Sequence, residues 1–131
     1  MLKEITAIGL MSGTSLDGID VAVQRTDGET KIKNLYATTV PYTAQTRDLI
    51  RQCIGLRDES DPRISKAEEA LTREHAAACT EALKMFPDIT LIGFHGQTIW
   101  HAPDEKLTRQ LGNAPLLADL TQRTLDLRGY L

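Results

Sequence analysis

The chain has 131 residues, 41% of them apolar and 25% charged, the make-up of an ordinary soluble globular domain. Its length suits a single domain able to bury about two-thirds of its unfolded surface. The 15 basic and 18 acidic side chains leave a formal charge of −3; the Lys and Arg residues are scattered, which excludes a nucleic-acid footprint and a basic membrane-surface patch.

Residues 5–11 (Ile5-Thr6-Ala7-Ile8-Gly9-Leu10-Met11) are apolar on both faces, the pattern of a central buried strand. A turn rich in Ser, Gly, Thr and Asp follows over residues 12–18. Ile19, Val21 and Val23 then alternate in a second strand ending near Arg25. Asp27-Gly28 makes the next turn, and residues 31–40, rich in β-branched side chains and tyrosine, form a third strand that Pro41 stops. Leu49, Ile50, Cys53 and Ile54 mark the apolar stripe of a helix over residues 44–54, with Gly55 suited to its C-terminal cap. Asp61-Pro62 opens a second helix, and Phe86-Pro87 stops it after Met85. Residues 89–94 read as a buried strand, parallel to the first because a long helical connection precedes it. Short extended pieces are expected at residues 98–101 and 108–111, then a helix over 114–122. The tail from Thr124 can begin a further strand.

Three antiparallel strands, two helices and a parallel strand make an α/β pattern of the ribonuclease-H-like kind, shared by actin-like ATPases, heat-shock ATPases and sugar kinases. The expected architecture is a mixed sheet with flanking helices, in one incomplete N-terminal subdomain covering residues 1–131. A sheet without its closing fifth strand would leave apolar edges and marginal stability.

No apolar run reaches the ~20 residues that span a bilayer. The N-terminus lacks a charged segment followed by an apolar one. Cys53 and Cys79 have neither metal-ligand nor redox spacing and read as small buried hydrophobes in a reducing compartment. A cytoplasmic location is expected.

Two loops carry chemistry. The first, Ser12-Gly13-Thr14-Ser15-Leu16-Asp17-Gly18-Ile19-Asp20, sets two glycines and three hydroxyls between buried strands. Backbone N–H groups freed by glycine can converge on an anion, and Ser and Thr add rotatable donors. It lacks the Gly-Lys-Ser/Thr of a Walker A loop and the Gly-x-Gly-x-x-Gly of a dinucleotide fingerprint. The loop holds no basic side chain, so amides and a metal ion are the available counter-charges. Carboxylates such as Asp17 and Asp20 tolerate a phosphate when a hydrated Mg²⁺ lies between. The second loop, His95-Gly96-Gln97-Thr98, follows the fourth strand, where ligands of open α/β sheets gather. Its imidazole, amide and hydroxyl suit sugar hydroxyls and amides. Trp100 offers either a platform for a sugar ring or a core residue. His75 reads as a packing or solvated helix residue, and His101, six positions after His95, makes no metal motif.

The segment from Gly9 to Asp20 closely resembles the N-terminal signature of anhydro-N-acetylmuramic acid kinases. His95-Gly96-Gln97-Thr98, with His101, is similar to the family's second signature, and Gln110-Leu111-Gly112-Asn113 resembles a third stretch that usually reads Gln-Ile-Gly-Asp. The resemblance implies that Gly13, Thr14, Ser15, Leu16, Asp17, Gly18, Ile19 and Asp20 contact ATP phosphates. It implies that His95, Gly96, Gln97 and Thr98 border the sugar and phosphate-transfer cleft. ATP and Mg²⁺ are the implied cofactors, a small-molecule sugar the implied substrate, and a homodimer is plausible for the intact family. The implied reaction phosphorylates 1,6-anhydro-N-acetylmuramic acid and opens its anhydro ring, giving N-acetylmuramic acid 6-phosphate in cell-wall recycling. The family's usual continuation, Asp-Phe-Arg, an aspartate base and a Gly-Gly-Gln-Gly-Ala-Pro loop, is not matched here; Asp126-Leu127-Arg128 is a weak echo. No catalytic residue is therefore assigned, and the chain alone is expected to lack turnover. The alternatives are a non-catalytic phosphate- or sugar-binding module and an inert truncation product.

Overall fold

In the computed structural model, residues 3–13 and 15–126 are described. A five-stranded sheet runs in the order β3-β2-β1-β4-β7, and β5 and β6 form a separate hairpin. β1 (Ile5–Ser12), β2 (Gly18–Thr26) and β3 (Ile32–Pro41) make the antiparallel meander. β4 (Ile89–Phe94) lies parallel to β1, with Leu10 opposite Phe94. β7 (Thr124–Asp126) lies parallel to β4 and supplies the fifth strand that the chain was expected to lack. Leu127 and Arg128 lie outside the described residues.

The alternating residues Ile8, Leu10, Ile19, Val21, Val23, Ile92 and Phe94 form one core with the helices. α2 (Pro62–Met85) is the central helix, packed between α1 (Ala44–Cys53) and α3 (Ala114–Thr121). Its buried stripe of Ile64, Ala67, Leu71, His75, Ala78, Cys79 and Ala82 has the helical 3–4 spacing that one apolar face requires. Asp61 caps its first turn by accepting from Arg63 N–H, and Pro62 needs no donor there. Thr43 caps α1, accepting from Thr46 N–H. Asn113 caps α3 through Leu116 N–H, and Asn and Asp cap about equally well, so the departure from the family's Asp retains the helix start. Cys53 and Cys79 are both free and buried.

The hairpin of β5 (Gln97–Ala102) and β6 (Leu107–Leu111) is clamped from one side. Gly55 N–H donates to Ile99 O at 2.7 Å. Arg109 pairs with Glu59 at 3.1 Å and Glu68 at 3.2 Å. Glu68 also accepts from Gly112 N–H at 3.0 Å.

Candidate functional site

Strand directions bring the two loops together. β1 and β4 are parallel, so residues 12–18 and 95–97 leave the same end of the sheet. β2 starts there, and β3 ends there, with Pro41 opposite Gly18. The C-terminal ends of neighbouring parallel strands are where open sheets place ligands.

Hydrogen bonds tie these segments. Ser12 Oγ donates to Gln97 Oε1. Tyr42 Oη donates to Ser12 Oγ at 2.9 Å. His95 N–H reaches Leu10 O at 3.4 Å. Tyr42 is buried, and desolvation, reinforced by Glu74 and opposed by the Ser12 bond, pushes its pKa up to about 12. It therefore stays a protonated donor at neutral pH.

The first loop divides by exposure. Gly13, Ser15 and Asp17 are exposed. Leu16 turns inward, 5% exposed, in the left-handed region at φ 59°, and its N–H donates to Gly13 O at 3.2 Å. Ile19 is also a core residue. The side chains of Leu16 and Ile19 are thus unavailable to a ligand; their effect is on loop shape. Gly18 is buried, and a Cβ there would stand 2.6 Å from Val40 O, so β3 can approach only a glycine. Asp20 is exposed on β2 and accepts from Thr39 Oγ1 at 2.6 Å. Thr14 lies outside the described residues.

Arg47 on α1 corrects the expectation that this loop has no cation at hand. Its Nε donates to Leu16 O at 3.2 Å, which sets a guanidinium against the loop. Nothing in the local sequence marks it, because the contact joins residues 31 positions apart.

In the second loop His95 is exposed, and its Nδ1 accepts from Gln110 Nε2 at 3.0 Å. Gly96 sits at φ +77°, and a Cβ would meet Leu111 O at 2.3 Å. Gln97 is 1% exposed; its amide bridges Ser12 and Thr98 O, so it acts inside the protein rather than at the surface. Thr98 is half-buried. Trp100 has one ring face under the Arg57 guanidinium, 4.3 Å from the ring centroid, which closes that face as a sugar platform. His101 hydrogen-bonds Thr108 on the hairpin. His75 lies fully buried below the site, edge-on to Phe94 at 5.0 Å and 6.1 Å from Tyr42. Burial pulls its pKa down to about 4, against the Leu71 carbonyl and Glu74.

The anhydro-N-acetylmuramic acid kinase family profile matches residues 5–129. This chain belongs to the anhydro-N-acetylmuramic acid kinase family. It is 44% identical over 126 residues to the protein of that name from Agrobacterium fabrum, covering 88% of this chain and 34% of the relative. The namesakes from Azorhizobium caulinodans and Bradyrhizobium diazoefficiens are 45% and 44% identical over 123 and 125 residues. Those matches cover 86% and 87% of this chain and 33% and 34% of the relatives. The chain spans about a third of the length of the curated relatives it matches.

For a member of this kinase family the donor set bears on Mg²⁺. Among the described residues no three His, Cys, Asp or Glu side chains gather to hold a metal ion. A hydrated ion carried by a nucleotide needs fewer protein ligands. Asp17 and Asp20 are the two carboxylates of the first loop, and both are exposed. Among the described residues no helix is long and apolar enough to cross a membrane.

Proposed function

We propose that these residues form one wall of an ATP-dependent sugar kinase, a single ribonuclease-H-like lobe spanning residues 1–131. The substrate is 1,6-anhydro-N-acetylmuramic acid, and the product is the 6-phosphate of N-acetylmuramic acid, made with hydrolytic opening of the anhydro bridge during cell-wall recycling in the cytoplasm. The first loop, with Gly13, Ser15 and Asp17 exposed and Arg47 set against it, receives the ATP phosphates. Asp17 and Asp20 face the hydrated Mg²⁺. The loop of His95, Gly96, Gln97 and Thr98 borders the sugar.

The observation that carries this reading is the Tyr42–Ser12–Gln97 chain, which joins the phosphate-like loop to the sugar-like loop at one end of the sheet. A kinase must hold donor and acceptor in contact, and positioning accounts for much of phosphoryl-transfer catalysis. The 131 residues span about a third of the length of the curated relatives, and no catalytic residue is assigned among them.

Calorimetric titration tests the reading. Mg-ATP is expected to bind at micromolar Kd, AMP to bind far more weakly, and Arg47→Gln to weaken Mg-ATP about tenfold, the equivalent of one charge-assisted hydrogen bond. Equal affinity for ATP and AMP, or no heat from a folded sample, would refute it.

A further inference from the structure

Gln110 belongs to a family-like stretch, but no chemistry has been attached to its side chain. In the fold it reaches back fifteen positions to His95, where its Nε2 donates to the imidazole Nδ1 at 3.0 Å. A ring nitrogen that accepts a hydrogen bond carries no proton. The neutral ring must then hold its proton on Nε2.

We propose that Gln110 is a positioning residue that holds His95 as the Nε2–H tautomer, so that this histidine meets a ligand oxygen as a hydrogen-bond donor. The two side chains hang from separately anchored parts of the fold. His95 follows β4, with its backbone N–H on Leu10 O of β1. Gln110 sits on β6, opposite Thr98 of β5. Its neighbour Arg109 is fastened to Glu59 and Glu68 and also donates to the Gln110 carbonyl. Gly96, at φ +77°, lets the chain after His95 fold tightly over Leu111 O, which brings the ring onto the Gln110 amide. The pairing is therefore set by backbone on both sides.

The consequence is chemical. With Nδ1 engaged by an amide N–H and Nε2 protonated, the ring has no free lone pair for a proton. His95 fits an oxygen acceptor, such as a phosphate oxygen or a sugar hydroxyl oxygen, and does not fit the role of general base. Which oxygen meets Nε2–H rests on the kinase reading above; the tautomer does not.

The test is ring-nitrogen NMR on the ¹⁵N-labelled 131-residue chain, at about pH 9, well above the ordinary imidazole pKa of ~6.5. The His95 signals are assigned by their loss in His95→Asn. The expected spectrum has a pyridine-type Nδ1 and a pyrrole-type Nε2. In Gln110→Glu the near-isosteric carboxylate can only accept, so the ring proton should move to Nδ1 and the two nitrogens exchange types. A purely structural role for Gln110 would not produce that exchange. A wild-type ring protonated on Nδ1, or a Gln110→Glu ring with the wild-type tautomer, would overturn the assignment. Neither readout needs nucleotide or sugar, so failure here is separable from failure of the Mg-ATP titration.

Discussion

Replacing Gly96 by alanine should be among the costlier single-methyl additions in this chain. Two effects combine. The residue sits at φ +77°, where an L side chain is strained by about 1–2 kcal/mol. The new Cβ would also stand 2.3 Å from Leu111 O and 3.2 Å from Leu111 C. Relief needs a retreat of about 1 Å by a buried strand end, an overpacking cost of about 1–3 kcal/mol. The sum is roughly 2–5 kcal/mol. Gly55→Ala isolates the first effect, since Gly55 has φ +83° and nothing within 4 Å of its would-be Cβ. That control should lose about 1–2 kcal/mol. Urea unfolding followed by circular dichroism measures both, and at this chain length each kcal/mol corresponds to about 3–5 °C in Tm. Equal losses for Gly96→Ala and Gly55→Ala would show that the hairpin does not close on Gly96 as described.

His75 predicts an acid limb in stability. Its folded pKa, down at about 4, lies below the unfolded value, so the unfolded chain takes up the proton first. Stability should hold above pH ~6.5 and fall by up to about 3 kcal/mol as pH drops toward 4. His75→Met should flatten that difference in urea midpoints between pH 7 and 4; an unchanged slope would refute the buried neutral imidazole. Arg57→Ala should uncover the face of Trp100, the single tryptophan. Its emission should shift to longer wavelength, with a loss of about 0.5–1 kcal/mol; unshifted emission would mean that the guanidinium does not cover the ring.

Local pattern alone was enough for the elements. The alternation of Ile19, Val21 and Val23, the Asp61-Pro62 start, the Phe86-Pro87 stop and the apolar run from Ile89 each act within a few residues, and the structure has strands and helices there with ends within about two residues. The short β7 was harder to place, because three residues carry too little periodicity to separate a strand from a tail. The candidate loops were legible as motifs. Which of their side chains face outward was not: Leu16 looks like any loop residue until its left-handed backbone turns it into the core, and Gln97 looks like a surface amide until Ser12 binds it.

Residue type and spacing along the chain thus determined the α/β order, the helix caps and the two motifs that mark the family. Only the tertiary structure decided what those motifs touch. Tyr42, Arg47 and Gln110 enter through contacts spanning 30, 31 and 15 positions, which no local periodicity encodes. The parallel pairing of β1 with β4 is the physical reason: it places both loop origins at one sheet end, and side chains from the turn after β3, from α1 and from β6 then meet them there.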